Sequence, residues 1–358
     1  MPMVSINSQA GPANISYTIS TPACTSAERI DSEIPTVIFL HPVYIGKYIF
    51  QTQFCDPKLR RFNLIGVDTR LHGDTEGKVK GVFGSEDAAH DMAAFMNALQ
   101  LPPCHFFGLS MGTRIAIQMG ISYPEKVLSL FLVSPIPIEE PAEVTEGRHE
   151  IYEYWCLGWS DPARPDIEAI KDSAKGSNQL GFNSTSGPLI KAMRKVTIPK
   201  AIRNYGPGRF EECYIATVAF FAEHVDYSMD KLRRIRCPVK LVHCSGDIAY
   251  PIHHAEELLQ RLIEADVNAD LEVVDDAPHF GTVTNATEIN SLLHDFLMKQ
   301  TTSDVPLPLE GVKSPYEAIL IAAGWFPDHN DENPEEADLF PEFDHESLVL
   351  PNKEAYKV

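Results

Sequence analysis

The sequence predicts an α/β fold in which a mostly parallel sheet is flanked by helices. Three observations carry this. Short apolar, β-branched runs of strand length recur through the first 300 residues. Helical patterns follow most of them. The one long break, residues 137–236, carries helical patterns of its own. Buried strand runs that alternate with helices need crossover connections, and these give parallel pairing with both sheet faces covered.

The elements follow in order. ISYTIS is the first strand signal. TVIFLHP and FNLIGVD are apolar runs of strand length. A polar loop leads to DAAHDMAAFMNALQL, which has helical spacing. CHFFGLS is a strand that runs into MGTRIAIQMGISYP, a helix that stops before Pro124. LSLFLVSP is the next strand. Beyond the break come the strand CPVKLVHC, the helix HHAEELLQRLIEA, the strand LEVVDD and the helix ATEINSLLHDFLM. Within the break, IYEYWCLGW, LIKAMRKV and EECYIATVAFFAEHV read as helices, so the segment is a helical insertion and not a loop.

Composition narrows the function. The chain has 358 residues, 44% hydrophobic and 22% charged, enough apolar matter for a large core. Its net charge of −20 excludes broad contact with nucleic acid or an anionic membrane, which needs a basic face. No apolar run reaches 18 residues, and the N-terminus lacks the basic and apolar regions of a secretory signal. Seven scattered cysteines without a CxxC pair argue for a reduced, cytoplasmic protein with no zinc site. The sequons at Asn14, Asn183 and Asn285 matter only in a secreted chain. Gly206-Pro207-Gly208 lacks the strand-to-helix setting of a phosphate loop.

Residues 301–358 hold 13 acidic and 3 basic residues, half the net charge. SPYEAILIAAGWF reads as a short helix, with Ser314 as its cap, Pro315 in its first turn and Gly324 at its end. The acidic stretch PDHNDENPEEADLFP follows. Three readings stay open: a docked helix with a trailing tail, an ordered surface wrap, or a partner-binding tail.

The chemistry points to Ser110. Gly108-Leu109-Ser110-Met111-Gly112 is a G-x-S-x-G turn between a strand and a helix, where small flanking residues allow the serine to project above the sheet. Serine needs a base, and His279 stands in the loop after LEVVDD, on the carboxyl edge of the sheet where the serine turn lies. His105 lies inside a strand, and His253 and His254 open a surface helix. The base needs an acid, and Asp247 follows the strand PVKLVHC. The rival acids are Glu139 and Glu140 after LSLFLVSP, and Asp275 and Asp276 near His279. In the insertion, Lys191, Arg194, Lys195, Lys200 and Arg203 form a basic run that reads as a solvated helix face or as a guide for a carboxylate substrate.

GLSMG, SGD followed by proline, and APHF together resemble the α/β-hydrolase superfamily over residues 30–300. The fit is closest to its esterase, lactonase and C–C hydrolase branch. The resemblance implies an α/β-hydrolase fold, with a helical cap inserted after strand 6 of the family's order. The division it implies is core 1–136, cap 137–236, core 237–300 and an acidic extension 301–358. It implies a Ser110–His279–Asp247 triad, with oxyanion donors from the backbone of Val43 and Met111 and support from His41, Gly108 and Gly112. Pro42 departs from the family's usual His-Gly-x, which stiffens that loop. Asp68 and His72 resemble a structural turn of the family and are expected to brace, not to react. The implied function is cleavage of a carboxylic ester or lactone of a small to medium organic molecule, without cofactor or metal. Acyl transfer, C–C hydrolysis and ligand binding without turnover are the alternatives. Sequence sets no oligomeric state.

Overall fold

The computed structural model describes residues 1–327 except 80 and 303. The rest of the acidic stretch, from residue 328, lies outside the described residues.

Among the described residues ten strands form one sheet: β1 (Met3–Ser8), β2 (Gly11–Thr21), β3 (Cys24–Ala27), β4 (Thr36–Leu40), β5 (Asn63–Val67), β6 (Glu76–Gly77), β7 (Cys104–Leu109), β8 (Val127–Val133), β9 (Val239–Cys244) and β10 (Ala269–Val274). The main order is β1-β2-β5-β4-β7-β8-β9-β10, and β3 and β6 pair with β2. From β5 to β10 all pairings are parallel; β1, β2, β3 and β6 join antiparallel. The central strands are buried on both faces, which explains why VIFL, LIGV and FFGL read as unbroken apolar runs. Helices Ser85–Ala98 and Met111–Ser122 pack into one core and Ala286–Gln300 into the other, so the sheet separates two apolar layers.

Between β8 and β9 the chain forms helices Ala142–Gly158, Ile167–Phe182, Pro188–Tyr205 and Phe210–Tyr214, the last running on through a wider π turn to Ala222. Pro199 sits inside the third without ending it. The basic run predicted there does not form one solvated face. Arg194 is buried, Lys200 pairs with Asp74 at 2.5 Å, and Arg203 Nη2 donates to Gly73 O at 2.5 Å.

Beyond residue 301, a helix forms over Glu317–Ala322. Gly324 takes φ +97°, as the predicted stop requires, but Ser314 is not the cap: the helix starts from Tyr316 without a side-chain cap, and Ser314 Oγ accepts from Tyr316 N at 3.1 Å in the turn ahead of it. Tyr316 is fully buried, its ring 5.5 Å from Tyr48 and 5.1 Å from Phe54. It lies on Gly66 of β5, where an added Cβ would come within 2.2 Å of its hydroxyl.

Candidate active site

Parallel register brings the strand ends together. Leu40 pairs with Gly108, Leu109 with Val133, and Cys244 with Val274. The loops that follow β4, β7, β8, β9 and β10 therefore leave the same sheet edge.

Ser110 sits at the end of β7 with φ 52° and ψ −115°, a conformation that costs a non-glycine residue about 1–3 kcal/mol. Its surroundings hold it there. Ser110 N donates to Val133 O at 3.0 Å, and its carbonyl accepts from Thr113 N at 2.8 Å and Thr113 Oγ1 at 2.6 Å. The two glycines are steric necessities. A Cβ at Gly108 would stand 2.6 Å from Gly112 O, and one at Gly112 would stand 2.1 Å from Leu40 O.

His279 Nε2 is 2.7 Å from Ser110 Oγ, and His279 Nδ1 is 2.5 Å from Asp247 Oδ2. The other carboxylate oxygen of Asp247 accepts from Ala249 N at 2.9 Å and Tyr250 N at 3.0 Å. His279 is anchored through its backbone: Ser134 Oγ donates to His279 O at 2.7 Å. All three side chains are buried; Ser110 is 1% exposed and His279 0%.

Val43 and Met111 are buried on either side of the close approach between β4 and the start of the helix after Ser110. His41 sets the first loop. Its Nδ1–H donates to Pro42 O at 2.7 Å and its Nε2 accepts from Thr69 N at 3.0 Å. Burial lowers the His41 pKa, which suits this neutral tautomer. Pro42 thus contributes the carbonyl that holds its own loop.

The other candidates take different places. Glu140 does not meet His279. It pairs with Arg148 at 2.7 Å, lies 3.8 Å from Arg114, and accepts from Tyr250 Oη at 2.8 Å. Burial raises its pKa, but the Arg148 and Arg114 charges outweigh that and hold it below the ordinary value. Asp275 and Asp276 are exposed, with Asp276 in a turn at φ +56°. Asp68 is buried against Lys47 and also accepts from Lys47 N at 2.8 Å and Asp74 N at 2.9 Å. His72 is buried, and burial lowers its pKa to about 3. His105 packs in β7 with Nδ1 2.8 Å from Ser129 Oγ. Among the described residues no cluster of histidine, cysteine, aspartate and glutamate is arranged to hold a metal ion, and no helix is long and apolar enough to cross a membrane.

Sequence reading missed the supports. Arg114 and Arg148 are buried arginines on otherwise apolar helix faces, which was the available signal. Arg148 Nη2 donates to Tyr250 Oη at 2.8 Å, so the ion-paired cluster also steadies the loop that carries Asp247. Asn183 Nδ2 donates to Gly246 O at 2.6 Å and Phe280 N donates to Gly181 O at 2.8 Å. Nothing in the residue pattern marks Gly181 or Asn183 for this.

With this arrangement, residues 35–286 match the family of the alpha/beta hydrolase fold. The chain belongs to the α/β-hydrolase family. Among solved structures, a thermophilic esterase from Thermogutta terrifontis is similar at 20% identity and TM-score 0.62, covering 84% of this chain and 100% of that one. The enol-lactonase from Burkholderia xenovorans LB400 is similar at 18% identity and TM-score 0.59, covering 83% and 100%. In sequence, the chain is 23% identical over 264 residues to the dihydrolipoyllysine-residue acetyltransferase component of the acetoin cleaving system of Cupriavidus necator. That match covers 73% of this chain and 63% of the relative's length.

Proposed function

We propose that this α/β hydrolase is a serine hydrolase that cleaves a carboxylic ester or lactone of a small to medium organic molecule. The observation that carries the reading is the unbroken relay Ser110 Oγ–His279 Nε2, His279 Nδ1–Asp247 Oδ2, at 2.7 and 2.5 Å. His279 takes the Ser110 proton as Oγ attacks the acyl carbon. The backbone N–H groups of Val43 and Met111 hold the oxyanion, a contribution of about 3–4 kcal/mol per donor in such sites. His279 then protonates the leaving oxygen, and a water activated by the same base releases the acid. Asp247 keeps the imidazole oriented and steadies its positive form. Residues 137–236 act as the cap, and their helices close the triad from solvent. No cofactor enters this scheme.

Acyl transfer to an alcohol or thiol is the second reading. The burial of Ser110 and His279 favours it, because a site that excludes water lets another acceptor compete. The acetyltransferase relative points the same way.

Intact-mass measurement after fluorophosphonate treatment tests the nucleophile, beside p-nitrophenyl acetate turnover. The expected result is one adduct, on Ser110, and loss of both adduct and turnover in Ser110→Ala. Turnover that survives in Ser110→Ala, or a folded wild-type protein with neither adduct nor turnover, overturns the reading.

A further inference from the structure

A cavity of about 90 Å³ lies against the site, between Tyr44, Phe280 and the helices of the insertion. Tyr44 follows Val43, and the ring of Phe280 lies 5.2 Å from that of His279, so the cavity lies one residue removed from the proposed oxyanion loop and base, and Ser110 itself does not line it. At about 10–15 Å³ per water-sized group, it has room for roughly six to nine heavy atoms.

Most polar groups in its wall are already engaged. Ser173 Oγ donates to Ile151 O and Ser177 Oγ to Ala174 O, both at 2.9 Å. Thr197 Oγ1 donates to Met193 O and Thr217 Oγ1 to Cys213 O, both at 2.8 Å. Spent on nearby backbone, these hydroxyls make the wall behave as largely apolar. Arg194 Nη2 donates to Ala174 O at 2.8 Å, and the Tyr44 hydroxyl lies beside Arg148.

Three wall atoms differ, the Tyr44 hydroxyl among them. The Tyr205 hydroxyl and Asn178 Oδ1 are buried and make no hydrogen bond among the described residues. Their residues are 5% and 3% exposed. Asn178 Nδ2 donates to Thr185 O at 3.2 Å, which orients the amide and leaves its oxygen as an acceptor. Burial pushes the Tyr205 phenol well above its ordinary pKa, so it remains an O–H donor. A buried polar atom left without a partner costs about 1–3 kcal/mol. A ligand hydroxyl, which both donates and accepts, removes that cost at either atom.

We propose that this cavity binds the acyl half of the substrate, and that this half is a small apolar group of up to about benzoyl size carrying a hydroxyl read by Tyr205 and Asn178. The inference rests on the serine-hydrolase reading above for turnover, but the binding preference is measurable without it.

The test uses p-nitrophenyl esters of butanoic, pentanoic and benzoic acids beside their 3-hydroxy counterparts. The expected result is that at least one hydroxylated ester exceeds its plain partner more than threefold in kcat/KM. That ratio should collapse toward one in Tyr205→Phe and Asn178→Ala. A gain that is absent in the wild type, or that survives in Tyr205→Phe, overturns the inference. Turnover of p-nitrophenyl acetate but of none of these esters overturns the inference; if p-nitrophenyl acetate is not turned over either, the serine-hydrolase reading fails by itself. The free acids are then titrated against wild type and Tyr205→Phe by the fluorescence of Trp155, which lines the cavity and donates Nε1–H to Tyr205 O at 2.8 Å. Tighter binding of a hydroxylated acid, lost in Tyr205→Phe, supports the inference in that case; equal binding overturns it.

Discussion

Asp247→Asn gives the sharpest test of how the relay works. In the native site one carboxylate oxygen faces two backbone N–H groups, from Ala249 and Tyr250 at 2.9 and 3.0 Å. The other oxygen faces His279 Nδ1 at 2.5 Å. An asparagine must keep its oxygen toward the two N–H donors, since its NH₂ there would set donor against donor. Its NH₂ therefore faces His279 Nδ1 and forces that nitrogen to accept. The imidazole proton moves to Nε2, which then donates toward Ser110 Oγ and cannot take its proton. The fold barely changes, because the backbone bonds survive. In the serine-protease triad the same substitution lowers kcat about 10⁴-fold, and at 1.36 kcal/mol per decade that is about 5.4 kcal/mol of barrier. We expect a loss of that order in kcat on p-nitrophenyl esters, with a melting temperature within a few degrees of wild type. A folded Asp247→Asn protein that keeps activity within tenfold of wild type would refute the tautomer argument.

Two other predictions concern stability. Burial pushes His105 down to about 4 and His72 to about 3, so both are neutral in the fold, while an unfolded histidine takes up a proton near 6.5. Below pH 6.5 the unfolded chain thus binds more protons. The stability these groups contribute is whole above pH 6.5 and is lost as pH falls toward 4, by up to about 1.4 kcal/mol per pH unit for each. His105→Gln should flatten the slope of unfolding free energy between pH 6 and 4.5, measured by urea titration, and an unchanged slope would show that His105 is not one of the groups responsible. Tyr316→Ala should destabilise the protein by about 3–5 kcal/mol, because a fully buried ring between Tyr48 and Phe54 leaves a cavity. A loss below 1 kcal/mol in denaturant would mean the extension is an ornament on the fold.

The parallel half of the sheet was legible because its strands are buried on both faces, so VIFL and FFGL need no pattern beyond apolarity. The edge was not. β1 alternates exposed and buried residues over only six positions, and β3 and β6 are four and two residues long. Helix Ile167–Phe182 was also missed. Its serines and glycines have weak helix preference, and it is held by packing against Ala142–Gly158. The positions of Ser110, Asp247 and His279 could be read from sequence because a strand end followed by a turn fixes where a side chain emerges. The Glu140–Arg148–Tyr250 cluster could not, since it joins three segments whose meeting depends on the insertion folding back.

That folding back constrains any route to the buried serine. Gly181 and Asn183, at the end of helix Ile167–Phe182, hold the loops of His279 and Asp247 through Phe280 N and Gly246 O. Moving this helix end outward would break both bonds and release the two loops that orient His279 and Asp247. Helix Ala142–Gly158 is tied differently, through Arg148 to Glu140 and Tyr250. Breaking that tie alone leaves both backbone bonds on Asp247 in place. A groove of about 970 Å³ already runs between these two helices beside Ile248 and His253. Helix Ile167–Phe182 is thus bonded directly to the backbone of the His279 and Asp247 loops, whereas helix Ala142–Gly158 reaches the Asp247 loop only through the Arg148 and Tyr250 side chains.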